Sequence, residues 1–408
     1  MSKISIVIPT HNHCEDLLKP CLEAILKHTS LDDTEVIIVA NGCTDNTREY
    51  LADKPVKMLW FDEGLGYTKA TNEGIKAATG DIIILMNNDA FLLDFQEKNG
   101  WIRMLCDPMK DPKVGMTGPL RLWDWSAEHD FLVFCCVAIK RELFDKLGLL
   151  DEIYSPGGCE DIEFCIRAEQ IGYKVLQVPS NEKCPVKDGY NVNNFPLWHK
   201  GEGTMLDDEH KVEWEKIVDR NRKILEGRFK LPEGLFYQED YKPYRDLVEE
   251  VPDGGTICEL GVWTGKSLCV ISDIAKRKGL KVIAVDTFRG ATNEPAQMAL
   301  AIQNDVEDKF RANTKRFGLD PKILKMTTDE ASKLVEDGSL DLCFVDANHS
   351  YEGISADLAN WIPKVKKGGI IGGHDYGGGW VGVTQAVNER YREVRHVPPS
   401  HVWSRKLT

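Results

Sequence analysis

Apolar runs rich in β-branched residues alternate with amphipathic stretches in this chain, and the alternation occurs in two separate blocks. The strand-like runs of the first block are residues 4–9, 35–40, 57–61 and 81–86. Those of the second block are residues 256–259, 281–286, 340–346 and 369–373. Strands that alternate with helices fold into parallel sheets covered by helices, so the pattern predicts two α/β domains.

A charged, helix-like stretch over residues 207–228 separates the two blocks. The segment LPEGLFYQEDYKPY follows it, and its proline and tyrosine residues interrupt any helical periodicity. We therefore predict a connecting helix and a linker, with domains at residues 1–235 and 236–408. A length of 408 residues suits two domains of ordinary size.

Composition and charge narrow the class of protein. The chain is 42% hydrophobic and 28% charged, carries a net charge of −14, and has no apolar run near the ~20 residues that span a bilayer. The first residues lack the order of a signal peptide, which predicts a soluble, cytoplasmic protein without a transmembrane segment. The negative charge disfavours a nucleic-acid partner. The twelve cysteines form no CxxC pair, which favours buried reduced thiols.

Polar segments end three strands of the first block: PTHN, ANGCTDNT and NND. Ligands of open parallel sheets bind beyond the carboxyl ends of the strands, so these segments should converge on one crevice. A carboxylate there can hold a divalent metal such as Mg²⁺ or Mn²⁺, which in turn binds a diphosphate. Taken alone, NND occurs in turns about as often as in such sites.

The order of these motifs resembles the family 2 glycosyltransferases of the GT-A fold, over about residues 3–205. The segment GLGYTKATNEGIKAATGDIIILMNND is similar to the core of that family, in which a DXD-like motif follows an apolar strand. The resemblance implies that Asp89 binds the metal and that the nucleotide-sugar donor contacts the strand ends and the glycine-rich segment. The residues predicted to bind the donor are Pro9, Thr10, Asn12, Asn41, Asp45, Lys69, Asn72, Asn87 and Asn88.

The segment GGCEDIEFCIRAEQIGYKV resembles the ED motif of the same family. By that resemblance Asp161 is the general base, and Glu160 orients or binds the acceptor. His199 matches a histidine that completes the metal shell in related enzymes. Taken alone, an ED pair is more often an exposed acidic helix start, and a lone histidine is more often structural.

The second strand departs from the family pattern, because Ala40, followed by Asn41, stands where many relatives have an aspartate that reads the base. The sequence therefore does not distinguish a UDP-, GDP- or dTDP-linked donor. By the same resemblance, a deoxy sugar such as rhamnose is one candidate for the transferred sugar. The acceptor is expected to be a carbohydrate or a lipid-linked glycan, as in polysaccharide biosynthesis.

The second block opens with Glu259-Leu-Gly-Val-Trp-Thr-Gly between a strand and a helix. The spacing is not GxGxxG, so dinucleotide binding is disfavoured. It resembles the ExGxxxG motif of class I methyltransferases, which have a Rossmann-like fold and bind S-adenosylmethionine. Asp286 ends the next strand, where an acidic residue can accept both ribose hydroxyls. The predicted cofactor contacts are Glu259, Gly261, Gly265, Asp286, Thr328 and Asp329.

The segment LDLCFVDANHSYEGISADLANWIPKVKKGGIIGGHDY is similar to methyltransferases that include macrocin-type sugar O-methyltransferases. In metal-dependent members the matching positions bind Mg²⁺, which implies Asp346, His374 and Asp375 here. His374 replaces an acid found in some relatives. His349 matches a proposed general base, although it could also be a turn histidine before a helix.

The leading hypothesis is a bifunctional enzyme: a metal-dependent, inverting sugar transfer followed along the chain by S-adenosylmethionine-dependent O-methylation. One alternative is a single active glycosyltransferase whose C-terminal domain is a non-catalytic binding or scaffold module, since a fold can outlast its chemistry. A nicotinamide-dependent oxidoreductase is a third, disfavoured by the glycine spacing. The sequence leaves assembly into a homo-oligomer open.

Overall fold

A computed structural model describes residues 2–94, 97–178, 195–201, 208–290, 295–303 and 305–408, with the backbone alone for residues 208–211. The chain divides into two compact units, Met1–Lys230 and Leu231–Thr408. The division lies close to the boundary that the sequence predicts at residue 235.

The first unit contains strands and helices in alternation. Its strands are β1 (Ile4–Thr10), β2 (Thr34–Asn41), β3 (Lys57–Phe61), β4 (Ile82–Met86), β5 (Ala90–Leu92), β6 (Val114–Gly118), β7 (Arg121–Asp124), β8 (His129–Leu132), β9 (Cys136–Lys140), β10 (Lys174–Gln177) and β11 (Leu197–His199). Its helices are α1 (Lys19–His28), α2 (Thr47–Leu51), α3 (Tyr67–Ala77), α4 (Gly100–Cys106), α5 (Arg141–Leu147), α6 (Glu160–Gln170) and α7 (Asp208–Phe229).

The central sheet of the first unit has the order β10-β6-β9-β4-β1-β2-β3. Strands β4, β1, β2 and β3 are parallel to one another, and β9 runs antiparallel to both of its neighbours. The carboxyl ends of β1, β2 and β4 therefore lie at one edge, as the three polar segments require.

Both faces of this sheet are buried, which explains why its strands are continuous apolar runs. Successive side chains of a strand point to opposite faces. Ile6 and Ile8 of β1 pack in the cluster that contains α1 and α4, whereas Val7 packs with Ile75 of α3 and Phe164 of α6 on the other face. The predicted α/β class is confirmed for this unit.

The second unit also alternates between strands and helices. Its strands are β12 (Thr256–Leu260), β13 (Lys281–Val285), β14 (Lys322–Leu324), β15 (Leu340–Val345), β16 (Val365–Gly373), β17 (Arg395–His396) and β18 (Trp403–Lys406). Its helices are α8 (Gln238–Glu249), α9 (Lys266–Val270), α10 (Ser272–Arg277), α11 (Pro295–Gln303), α12 (Val306–Arg316), α13 (Thr328–Ser332), α14 (Tyr351–Trp361) and α15 (Val381–Arg390).

The sheet of the second unit has the order β14-β13-β12-β15-β16-β18-β17. The first five strands are parallel, and β18 runs antiparallel to β16. The carboxyl ends of β12, β13, β15 and β16 consequently share one edge. This Rossmann-like arrangement confirms the second α/β prediction.

The prediction of a linker without helical structure after residue 230 was wrong in part. Helix α8 begins at Gln238, within that segment, and contains Pro243. A proline inside a helix costs a hydrogen bond and is unfavourable locally. Tyr244, Leu247 and Val248 of α8 are buried in the core of the unit, and this tertiary packing offsets the local cost.

Two further sequence predictions concern the whole chain. The eleven described cysteines are all free, and only Cys106 among them is not fully buried; Cys184 lies outside the described residues. Within the described ranges, no helix combines the length and the apolar character that crossing a membrane requires.

Candidate active sites

A cavity of about 820 Å³ opens at the strand-end edge of the first unit. Its size falls within the usual range for ligand sites. The sequence-predicted residues that line it are Pro9, Thr10, Asn41, Asn87, Asn88, Asp89, Glu160, Asp161 and His199. Segments far apart in the sequence thus meet at one cavity.

Asp89 and His199 lie side by side in this cavity because β5 and β11 form a two-stranded ribbon in which His199 pairs with Ala90. Nε2 of His199 is 3.2 Å from Oδ1 of Asp89, and the Asp89 backbone carbonyl accepts a hydrogen bond from the N–H of Lys200. An oxygen donor and an imidazole nitrogen that converge at a cavity wall fit a divalent ion such as Mn²⁺. The donor set is therefore compatible with the predicted metal.

Side chains at the other strand ends hold the cavity rim together. The amide of Asn88 donates to Oγ1 of Thr10 at 3.0 Å, which ties the end of β4 to the end of β1. Oδ1 of Asn41 accepts a hydrogen bond from the N–H of Leu65, and the backbone carbonyl of Asn41 contacts Nδ1 of His11 at 2.7 Å. Asn41, which stands beside the departure from the family pattern, thus organises the loop before α3.

Glu160 and Asp161 begin α6 and line the cavity opposite the strand ends. Glu160 is only 5% exposed, and its Oε2 has no hydrogen-bond partner among the described residues. Burial raises the pKa of both carboxyls; the charge of Asp161 raises the pKa of Glu160 further, and that of Asp124 raises the pKa of Asp161. A carboxyl with a raised pKa near a ligand cavity is suited to proton transfer.

Asn12 and Asp45 do not line the cavity but connect two loops beneath it. Oδ1 of Asn12 accepts from the N–H of Thr44 at 2.7 Å. The Asp45 carboxylate accepts from the N–H of Cys14 at 2.9 Å and from Oγ1 of Thr47 at 2.6 Å. Their hydrogen-bonding capacity is engaged within the protein, so donor binding by these two residues stays a prediction.

Asn72 and Lys69 lie on α3, away from the cavity wall. Asn72 is buried, donates to the carbonyl of Leu150 at 2.9 Å and accepts from the N–H of the same residue at 3.0 Å. Lys69 is exposed on the helix surface. The structure thus gives Asn72 a bracing position and brings neither side chain to the cavity.

Helix α7 forms a cavity wall that sequence reasoning missed. Trp214, Ile217, Val218 and Arg222 line the cavity from this helix, which the sequence predicted only as a connecting segment. Among the described residues that line the cavity, Arg222 carries the only ammonium or guanidinium group.

Asn221 fastens α7 to the loop that precedes the ED pair. Its amide lies within 2.9 Å of the carbonyl oxygens of Tyr154, Gly157 and Gly158, and the residue is fully buried. A Cβ at Gly157 would lie 3.2 Å from the ring of Trp214, which explains the close approach of loop and helix. The buried asparagine within a charged helix was the available signal for this contact.

A second cavity, of about 470 Å³, opens at the strand-end edge of the second unit. The sequence-predicted residues that line it are Gly261, Asp286, Thr328, Asp346, His349 and Asp375. The exposed side chains of Tyr237 and Trp380 also line it and were not predicted.

The glycine-rich turn after β12 is held by Asp286. One carboxylate oxygen of Asp286 accepts from the N–H groups of Val262 and Trp263, each at 2.8 Å, and the other accepts from the N–H of Phe288 at 2.7 Å. Gly261 has a φ of 81°, and a Cβ there would lie 2.0 Å from the carbonyl oxygen of Asp346. The turn therefore requires glycine for close packing. Three of about four acceptor positions of Asp286 are used, which leaves one for a ribose hydroxyl.

Two histidines and two aspartates meet at the ends of β15 and β16. Nε2 of His349 is 3.0 Å from Oδ2 of Asp375, and Nδ1 of His374 is 3.3 Å from the same oxygen and 3.7 Å from Oδ1 of Asp346. Burial alone would lower the pKa of both histidines, but the neighbouring carboxylates raise it well above the ordinary value. Burial likewise opposes ionisation of Asp375, yet the two histidines lower its pKa.

His374 is almost fully buried and lies behind the cavity wall, with Nε2 2.9 Å from Oδ2 of Asp240. Asp240, from α8, was not predicted, because its segment was assigned to a linker. The aromatic ring of Trp380 covers His349, with ring centroids 4.5 Å apart.

Three predicted cofactor contacts do not reach the second cavity. Glu259 is fully buried and accepts hydrogen bonds from the hydroxyls of Tyr244 and Ser267. Gly265 is the left-handed residue that starts α9, and Asp329 is exposed and paired with Lys333. These contacts stay predictions that the geometry does not favour.

The fold and the two cavities define a protein of two α/β domains, each with a candidate ligand site at its strand ends. Residues 5–127 match the family model for glycosyl transferase family 2, and residues 258–376 match the model for a methyltransferase domain. The N-terminal unit therefore contains a glycosyl transferase family 2 domain, and the C-terminal unit contains a methyltransferase domain.

The curated relatives match part of the chain. The O-antigen biosynthesis protein RfbC of Myxococcus xanthus is 24% identical over 216 residues, which are 43% of this chain and 16% of that protein. The chain thus spans less than a quarter of the first curated relatives that it matches.

Two solved structures are similar in part. A mannosyltransferase of Pyrobaculum calidifontis, solved in complex with GDP-Man and Mn²⁺, is 21% identical, with a TM-score of 0.37 over 44% of this chain and 55% of its own. The O-methyltransferase NovP is 24% identical, with a TM-score of 0.34 over 41% of this chain and 79% of its own.

Proposed function

We propose that the chain transfers a sugar from a nucleotide-sugar donor with its first domain and methylates a sugar hydroxyl with its second. The observation that carries the first activity is the convergence of Asp89, His199 and Asp161 on one cavity at the strand ends. The second activity is supported by the cavity between the Asp286-bound turn and the cluster around Asp346.

In the proposed sugar transfer, Asp161 accepts the proton of the acceptor hydroxyl while the oxygen of that hydroxyl forms a bond to the anomeric carbon. The bond from that carbon to the diphosphate oxygen breaks, and the nucleoside diphosphate leaves with the electron pair. A single displacement of this kind inverts the anomeric configuration. The raised pKa of Asp161 matches the need for a base of moderate strength.

The leaving diphosphate requires positive charge in an acidic cavity. Asp89 and His199 would hold a divalent ion, which supplies charge neutralisation for the diphosphate. Arg222 faces the same cavity from α7 and contributes a guanidinium that can bind phosphate oxygens in a bidentate manner. Asn41 and Thr10 would contact the donor at the strand ends. These features support a nucleotide-sugar donor without selecting its base.

In the proposed methylation, S-adenosylmethionine supplies an electrophilic methyl group when bound. The turn held by Asp286, together with Thr328, would hold its nucleoside part. His349 would accept the proton of the sugar hydroxyl once a cation at Asp346 and Asp375 offsets the carboxylate charge that otherwise keeps the imidazole protonated. Trp380 over the ring of His349 shields this position from water. Two active sites on one chain would raise the local concentration of a shared glycan substrate.

A nucleotide-sugar screen tests the first activity. The full chain is incubated with UDP-, GDP- and dTDP-sugars plus Mn²⁺ or Mg²⁺, and release of the nucleoside diphosphate is followed with and without glycan acceptors. We expect one donor class to be turned over only with metal. Release that is independent of metal, or the absence of release from all donors, would refute the proposal.

Calorimetry with S-adenosylmethionine tests the second activity. We expect one site per chain, and transfer of a radiolabelled methyl group to the glycan product. Absence of binding would leave the second domain as a binding or scaffold module.

A further inference from the structure

The imidazole of His374 is held from two sides. On one side Nε2 lies 2.9 Å from Oδ2 of Asp240, and on the other Nδ1 faces Oδ2 of Asp375 and Oδ1 of Asp346, at 3.3 and 3.7 Å. His374 is 3% exposed, and Asp240 is fully buried. The ring therefore has a fixed orientation and a fixed set of neighbours.

The partners of Asp240 indicate which ring nitrogen carries the hydrogen. Oδ1 of Asp240 accepts from Oγ of Ser400 at 2.9 Å and from the N–H of His401 at 2.7 Å. Oδ2 is thereby turned to His374, and a carboxylate can only accept, so Nε2 donates. Nδ1 is then the nitrogen that faces the two remaining carboxylates.

Nδ1 beside two carboxylate oxygens is stabilised by positive charge, which either a proton on the ring or a cation bound between the three groups can supply. Three ligand atoms from Asp346, His374 and Asp375 lie within 4.8 Å of one another, which is compatible with a single ion. The arrangement of a carboxylate behind a histidine is the one that orients histidine ligands in metal sites.

We propose that Asp346, Asp375 and Nδ1 of His374 bind a transition-metal ion such as Mn²⁺ or Co²⁺ in preference to Mg²⁺, and that Asp240 positions His374 for this. The inference rests on the proposed methyltransferase site. Imidazole suits transition metals, whereas Mg²⁺ favours an all-oxygen shell. The histidine in place of an acid thus changes the preferred ion and keeps the site.

Metal binding to the full chain tests this proposal without substrate. An Asp89→Ala background removes the predicted site of the first domain, and calorimetry then compares Mn²⁺ with Mg²⁺ while Co²⁺ is followed by its visible absorption. We expect Mn²⁺ to bind at least about tenfold more tightly than Mg²⁺. We expect a cobalt spectrum typical of nitrogen ligation.

Variants of the two central residues sharpen the test. His374→Asp should reverse the preference toward Mg²⁺ and change the cobalt spectrum. Asp240→Asn should weaken Mn²⁺ binding by about 10- to 100-fold. Asp337→Asn, at an exposed carboxylate of the same unit that pairs with Lys364, is the matched control and should change neither. His374→Asp keeps the test decisive if Asp240→Asn fails to fold.

The inference would be overturned by equal or tighter binding of Mg²⁺, by a preference that His374→Asp leaves unchanged, or by the absence of binding for all three ions. Selective metal binding without methyl transfer would instead refute the proposed methylation alone. Methyl transfer without selective binding would refute this inference alone.

Discussion

Nε2 of His199 lies 3.2 Å from Oδ1 of Asp89, across a two-stranded ribbon that joins the segment after β4 to a strand late in the first unit. Asp89 is 6% exposed, so its carboxylate is largely removed from solvent. A buried carboxylate is costly unless it is paired, and a histidine or a cation can pair with it. The pair brings together the two side chains that the sequence predicts as metal ligands at the first cavity.

Asp89→Ala should reduce metal-dependent donor turnover by roughly 100-fold or more, because it removes an oxygen ligand and the charge that holds the ion. His199→Ala should show a weaker loss that added Mn²⁺ partly restores. Steady-state release of the nucleoside diphosphate measures both. His129→Ala, a histidine of the same unit outside the cavity, is the control. Full activity in Asp89→Ala would contradict the site assignment.

The pH dependence of sugar transfer should show an acidic limb above the ordinary aspartate value of about 3.9, because burial raises the pKa of Asp161 and the base must be ionised to act. Activity is therefore lost as the pH falls through that raised pKa. Asp161→Asn should lower kcat by about 10²- to 10⁴-fold and leave donor binding intact.

Asp124→Asn should move the acidic limb to lower pH, because the negative charge of Asp124 raises the pKa of Asp161. The comparison is a pH profile of kcat for the wild type and the variant. Asp130 lies on the same β7–β8 hairpin and pairs with Arg121. Asp130→Asn is therefore the control, and its pH profile of kcat should match that of the wild type. An unshifted limb in Asp124→Asn would argue against Asp161 as the base.

Arg222→Gln should reduce kcat/KM for the donor by roughly tenfold, since it removes one charge-assisted contact to the diphosphate. Lys223→Gln changes the neighbouring residue, which does not line the cavity, and should leave kcat/KM unchanged. Donor kinetics at fixed acceptor and metal concentrations distinguish the two. Equal effects would indicate a general electrostatic role of α7.

Burial of Glu259 should make the free energy of unfolding depend on pH. Burial raises the pKa of Glu259 to about 8, so the folded chain binds a proton that the unfolded chain releases above about pH 4.3. This contribution is complete below the unfolded pKa and is lost as the pH rises toward 8.

Glu259→Gln stays neutral, so its stability relative to the wild type should rise by on the order of 2 kcal/mol between pH 5 and pH 7.5. Thermal unfolding of both proteins at the two pH values measures the difference. Glu249→Gln, at a partly exposed carboxylate that pairs with Arg277, should show no such trend. Parallel pH dependences for Glu259→Gln and the wild type would contradict a protonated Glu259.

The strand-end residues of both sites follow from the sequence because they depend on local signals. Periodicity predicts the strands β1 and β4 of the first unit and β12 and β15 of the second. In each unit, the parallel sheet brings the carboxyl ends of its strands to one edge, independently of the loop conformations. Asp346 follows β15 directly and Asp89 lies three residues after the end of β4, so their positions at the cavities follow from strand assignment.

Predicted ligand contacts that are instead engaged in buried hydrogen bonds within the protein were not predictable in this way. The buried carboxylate of Glu259 accepts a hydrogen bond from the hydroxyl of Tyr244 in α8, and Asn72 braces the loop at Leu150. Neither partner can be read from the neighbouring sequence.

The sequence by itself determined two α/β domains and the order of their strand-end motifs, because strand and helix periodicities are local properties of the chain. Only the tertiary structure decided that Asn221 fastens α7 beside the first cavity. Only the tertiary structure likewise decided that Asp240 orients His374 toward Asp346 and Asp375. These contacts join residues distant in sequence, and their free energy exists only once the intervening chain has folded.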